Sequence, residues 1–176
     1  CNCKKFDREL NWDTSNVQNM MEMFMGCTSF NQTLKFKTHN LTLMSSIFKG
    51  CTSFNQPLNW DITNVTSLQS AFEGCWSFNQ PLEWNTINVI DLRSTFKYCS
   101  NFNQPLKWNT KNVLFMDDTF LDCESFNQPL EWNTENTVSM KCTFLGASAF
   151  NQQLKWNTKN VKTMSRMFYF ATNFDK

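Results

Sequence analysis

The residues with the most latent chemistry in this chain are its eight cysteines and its single histidine, His39. Cys27, Cys51, Cys75, Cys99 and Cys123 follow one another at intervals of 24 residues, and Ala147 and Ala171 continue the same series. Cysteines brought close together could pair as disulfides or bind a metal. The sequence holds no Cys-x-x-Cys pair, however, and offers only one His as a further ligand. A position that accepts Ala asks for a small, buried side chain, so buried free thiols are favoured over bridges or metal ligands. Cys142 stands outside the series, where other units carry Glu22, Ser46, Ser70, Ser94, Asp118 and Arg166. It is therefore expected to be an exposed thiol, open to reaction or cross-linking. Catalysis finds no support. A Ser-His-Asp or Cys-His site would have to be built around His39, no Gly-rich phosphate loop is present, and the acids occur singly. Evenly repeated positions are what packing produces, whereas an active site needs residues that break a repeat and converge. The chain is read as a non-enzyme with neither cofactor nor metal.

The spacing that organises the cysteines organises everything else. Units begin near Phe6, Phe30, Phe54, Phe78, Phe102, Phe126 and Phe150, with a partial unit from Phe174, so residues 1–176 form one repeat array. Each unit opens on Phe-Asn-Gln-Pro-Leu-x-Trp. The alternation in Leu58-Asn59-Trp60 and Leu82-Glu83-Trp84 predicts a short parallel strand whose Leu and Trp point inward. Pro57, Pro81, Pro105 and Pro129 would mark the strand's start. The second half opens on an Asn such as Asn16 or Asn40, followed by apolar residues like Val17, Met20, Phe24 and Cys27. That spacing predicts a short helix behind an Asn cap. The expected fold is thus an α/β solenoid of seven 24-residue units, each a strand plus a helix. No unit should fold alone, since stability in such a stack comes from neighbour contacts.

The columns that this stacking creates have local uses. Asn31, Asn55, Asn79, Asn103, Asn127 and Asn151 should bond the backbone of the neighbouring unit. Asn31-Gln32-Thr33, Asn40-Leu41-Thr42 and Asn64-Val65-Thr66 match the glycosylation acceptor pattern, but these Asn carry structural work and the match is discounted. A column of Thr14, Thr38, Thr86, Thr110, Thr134 and Thr158 raises an ice-binding reading, which is disfavoured because Ile62 interrupts it.

Net charge is +1 with both signs scattered, which argues against a nucleic-acid partner. No apolar run approaches the roughly 18 residues of a membrane span, so no direct membrane insertion is expected. The chain begins at Cys1, part-way through a unit, and neither end carries a polar cap. It is expected to be a piece of a longer array or to have covered ends.

Phe54-Asn55-Gln56-Pro57-Leu58, Trp60-Asp61, Asn64-Val65 and Phe72-x-x-Cys75 resemble the repeat of BspA-like leucine-rich-repeat surface proteins. More closely, they resemble a related family of unknown function noted in surface lipoproteins of wall-less bacteria. Similar arrays occur in large DNA viruses of protists and in marine eukaryotes, and the Asn, Lys and Phe bias with eight Cys fits that AT-rich setting better than a bacterial lipoprotein. The resemblance implies a right-handed leucine-rich-repeat-like superhelix, displayed on a cell or particle surface and used in adhesion or interaction. It implies no defined ligand.

Two surfaces follow as candidates. The outward strand residues Lys35, Asn59, Glu83, Lys107, Glu131 and Lys155 form the default binding face, and their alternating signs predict pairing along the column. A flat, mixed-charge face suits a protein or glycan surface better than a small molecule. Ile90, Leu114, Phe115 and Val138 hold positions that are polar in other units; they either tuck between adjacent helices or form an exposed apolar contact patch. The first reading is a non-catalytic scaffold for protein or surface contact, as an outer component of a cell or virus particle. The second is an architectural module that self-associates or assembles laterally through the apolar patch.

Overall fold

The computed structural model describes residues 2–176, and Cys1 lies outside them. Its order starts from identical spacing. Because each unit has the same length, each aromatic side chain meets its own counterpart in the next unit, and three aromatic columns result. Phe30, Phe54, Phe78, Phe102, Phe126 and Phe150 stack with ring centres 5.9 to 6.0 Å apart. Phe24, Phe48, Phe72, Phe96, Phe120 and Phe144 stack at 5.5 to 5.7 Å. Where one unit ends and the next begins the two columns touch, as at Phe48 and Phe54, 4.2 Å apart and nearly parallel. The third column runs through Trp84, Trp108, Trp132 and Trp156 at 6.2 Å. These distances lie within the favourable range for offset stacking, which adds to the area buried. Twelve Phe side chains, two in each of six successive pairs from Phe24 to Phe150, are the largest fully buried groups.

The backbone corrects the expectation of an α/β solenoid with a helix in each unit: no helix and no extended strand forms among the described residues. What replaces the helix is a run of tight turns. Met23 N–H donates to Met20 O at 3.2 Å around Glu22, whose φ is 56°, and Cys27 N–H donates to Phe24 O at 2.9 Å around Gly26, φ 72°. A positive φ at the third residue of each turn is the geometry of a type II turn. The same pair of left-handed residues recurs as Ser46 and Gly50, Ser70 and Gly74, Ser94 and Tyr98, and Asp118 and Asp122. A left-handed residue every fourth position cannot propagate a right-handed helix. Instead, alternate amides reach across to the next unit: Phe24 N–H to Ile47 O at 2.9 Å and Gly26 N–H to Lys49 O at 2.7 Å. Isolated parallel bridges such as Ser67 with Asp91 and Phe115 with Ser139 fall in this half.

The half read as strand keeps its alternation but not its ladder. Leu58 and Trp60 are buried with Asn59 exposed between them, and Leu82, Glu83 and Trp84 repeat this. No backbone-to-backbone hydrogen bond joins these segments among the described residues. Side chains stitch them instead. Trp84, Trp108 and Trp132 each donate an indole N–H to the Leu carbonyl of the preceding unit, at 3.0 to 3.1 Å. Trp60 is the exception, its buried indole N–H having no partner.

The Asn residues read as helix caps serve a different purpose. Asn40, Asn88 and Asn112 donate a side-chain N–H to a carbonyl of the preceding unit at 2.8 Å. The other Asn column behaves as expected. Asn55 Oδ1 accepts from Asn79 N–H at 2.9 Å and from Gln80 Nε2 at 3.1 Å, and the next units repeat the pattern. Asp7 fills the same role toward Asn31 and Gln32. Part-buried backbone amides that no ladder reaches are satisfied this way.

Candidate functional site

Lys35, Asn59, Glu83, Lys107, Glu131 and Lys155 are all exposed, one per unit, on the Pro-Leu-x-Trp edge. The expected pairing along this column does not occur: none of them is in a salt bridge among the described residues. Their charges are left facing solvent. Between successive units the edge is indented. One shallow depression is lined by Pro105, Lys107, Trp108, Pro129, Glu131 and Trp132, and equivalent ones lie on either side. Ring centres along this edge are 6.2 Å apart, against 5.5 to 5.7 Å along the Phe24 column. Proline and the indole edge form apolar walls, and each of these depressions carries both a Lys and a Glu.

The apolar patch is partly covered. Ile90 is 40% exposed, whereas Leu114, Phe115 and Val138 are half-buried. The three aliphatic residues are aligned by backbone bonds, Leu114 N–H to Ile90 O at 2.8 Å and Val138 N–H to Leu114 O at 2.9 Å. Arg93 lies 5.1 Å over the Phe115 ring and is held there by Asp91. The guanidinium thus occupies one face of the ring.

The thiols form a buried column. Cys51, Cys75, Cys99 and Cys123 are free, fully buried, and each directs its S–H at the Phe carbonyl of the preceding unit, at 2.8 to 3.0 Å. Burial pushes the Cys51 thiol up to about 12, and Cys75, Cys99 and Cys123 well above the usual thiol range. Cys142 corrects the expectation of an exposed thiol. It is only 5% exposed, and burial, with Asp118 nearby, raises its pKa. Its backbone is left-handed, φ 55°, as at the equivalent position of the other units, where the expected helix would have made it a surface position. The Thr column is buried except at Thr158, which is exposed: Thr86, Thr110 and Thr134 donate to Asn109, Asn133 and Asn157 carbonyls at 3.0 Å.

Sequence reasoning passed over Tyr98 and Asp122. Both occupy the second left-handed position, where Gly26, Gly50, Gly74 and Gly146 stand in other units. The signal was present in the column of glycines, which marks a backbone requirement that these two residues meet at a cost.

The fold and these faces define a tandem-repeat protein whose units share one backbone path and differ in their outward side chains. The chain belongs to the family described as "Mycoplasma protein of unknown function, DUF285", which it matches over residues 1–107 and again over residues 66–176. No curated protein matches it.

Proposed function

We propose that this protein is a non-catalytic scaffold that presents the Pro-Leu-x-Trp edge to a protein or glycan surface, as an outer component of a cell or particle. The observation that carries this reading is the row of unpaired charges, Lys107 and Glu131 among them, set beside regularly spaced depressions walled by Pro and Trp. A repeated, shallow, mixed-charge surface suits an extended partner, which can engage several depressions at once. The likeness of the repeat to that of BspA-like surface proteins supports display at a surface. A second reading, lateral assembly, draws on Ile90, Leu114 and Val138, which continue one another across three units with Ile90 40% exposed.

Two measurements separate the readings. The protein is screened on glycan and host-surface protein arrays beside a Lys107→Glu, Glu131→Lys double variant, and its mass is followed by sedimentation beside Leu114→Asp. Presentation predicts array binding that drops at least tenfold in the double variant while sedimentation is unchanged. Lateral assembly predicts a concentration-dependent oligomer that Leu114→Asp dissolves. Array binding that survives both charge reversals would sink the first reading.

A further inference from the structure

One place on the surface gathers departures from the repeat. Tyr98 and Asp122 stand where four other units carry Gly, and Trp76 and Glu124 stand where Thr28, Thr52 and Ser148 stand elsewhere. These four residues come from three successive units, yet with Ser100 they line a single surface depression. It lies apart from the Pro-Leu-x-Trp edge and shares no residue with it.

Packing does not account for them. Trp76 is 58% exposed and Tyr98 41% exposed, so neither ring contributes its area to the core. Tyr98 and Asp122 hold φ values of 63° and 53°, where a side chain is disfavoured against Gly. The charges do not cancel either. Lys97 pairs with Asp118 at 3.5 Å and lies 5.2 Å from the Tyr98 ring centre, and Lys49 pairs with Glu73 at 2.9 Å. Asp122 and Glu124 are in no salt bridge among the described residues. Asp122 has its pKa raised, first by burial and then by Glu124, with Lys97 opposing. The depression therefore combines two exposed aromatic rings with two carboxylates that repel one another.

We propose that the depression formed by Trp76, Tyr98, Asp122 and Glu124 is a docking site for an arginine or lysine side chain on a basic segment of a partner protein. Such a side chain lays its alkyl stem against the indole and phenol, and its cationic head relieves the carboxylate repulsion. A neutral glycan would use the rings but leave both carboxylate charges uncompensated. The chain's net charge of only +1 means that overall attraction does not draw a cationic peptide to it, so binding reports on the local site.

The test uses a fluorescent arginine-rich nonapeptide and the same peptide with citrulline in place of arginine, read by anisotropy at physiological salt. Variants restore what neighbouring units carry: Trp76→Thr, Tyr98→Gly, Asp122→Gly and Glu124→Ser. Because these residues already serve at equivalent positions, the fold is preserved, and Tyr98→Gly should raise the melting temperature. Expected is saturable binding of the arginine peptide, weakened at least tenfold by Trp76→Thr and by Asp122→Gly with Glu124→Ser, and at least tenfold weaker for citrulline. Lys107→Glu, on the other edge, leaves it unchanged, so this result and the fate of that edge are read independently. The proposal is overturned if the native protein does not bind the arginine peptide, if the restored variants bind it equally well, or if citrulline binds as tightly as arginine.

Discussion

At the scale of single residues, the cysteine column shows how a repeated side chain can set the response of the fold to pH. A thiol in the unfolded chain ionises near its ordinary value of 9.0, whereas native Cys51 holds its proton to about 12 and Cys75, Cys99 and Cys123 hold theirs well above the ordinary value. Ionisation would also remove the S–H that Cys75 directs at Phe48 O, 3.0 Å away. Above pH 9 the unfolded state therefore binds fewer protons than the native state, so the stabilisation is complete below that value and is lost as pH rises toward 12. Substituting Cys75→Ala and Cys99→Ala together removes two of these groups. Ala147 and Ala171 already occupy the same position, so the backbone accepts the change. The expected outcome is a cost of about 1 kcal/mol per site at neutral pH, from a lost hydrogen bond and a small cavity. The fall in urea midpoint on going above pH 9 should be shallower than in the native protein. Equal alkaline slopes in the two proteins would show that buried thiols do not govern the transition.

At the scale of elements, the turn pair is what distinguishes this backbone from the predicted helix, and its glycines test it. At Gly50, φ 73°, an added Cβ would lie 3.7 Å from Gly26 Cα, an ordinary contact, so Gly50→Ala should cost only the backbone preference, about 1 to 2 kcal/mol. At Gly146, φ 70°, the same Cβ would collide with the Asp122 carboxylate, so Gly146→Ala should cost about 1 kcal/mol more. Asp122→Ala should recover that excess and leave the Gly50 variant unaffected, a coupling that a double-mutant cycle from denaturant unfolding would measure. The same turns explain what could be read from the sequence. Val17, Met20, Phe24 and Cys27 face inward whether the chain winds as a helix or folds through successive turns, because both bring every third or fourth residue to one side. Inward positions, period and the Asn, Thr and Cys columns were therefore legible. The backbone path was not, because Glu22, Ser46, Ser70 and Ser94 are left-handed without being Gly, and only the second turn position announces itself by composition. The candidate faces were legible as columns, but their unpaired charges and the burial of Cys142 depend on backbone direction, which spacing alone leaves open.

At the scale of the whole molecule, the contacts that join one unit to the next recur at fixed offsets close to one repeat, so the period must be kept while the number of units need not be. Phe78 stacks on Phe54 at 6.0 Å and on Phe102 at 5.9 Å, Asn79 bonds Asn55 and Asn103, and the thiol of Cys99 bonds Phe72 O. Excising residues 79–102 joins Phe78 directly to Asn103 and leaves every column in register, with Phe126 now following Phe78. Removing residues 79–90 instead takes out the Pro-Leu-x-Trp edge of one unit and brings Asp91 to follow Phe78, so that no column can continue through the gap. In a stack governed by neighbour terms, the first deletion subtracts one unit and one interface, whereas the second breaks the stack in two. The shorter in-register protein should unfold in one cooperative transition at a lower urea midpoint than the parent, with its tryptophan emission still shielded before unfolding. The half-unit deletion, although it removes fewer residues, should show two transitions or none, with tryptophan emission shifted to the red at zero denaturant. If the half-unit deletion were the more stable of the two, register between like residues would not be what holds the array together.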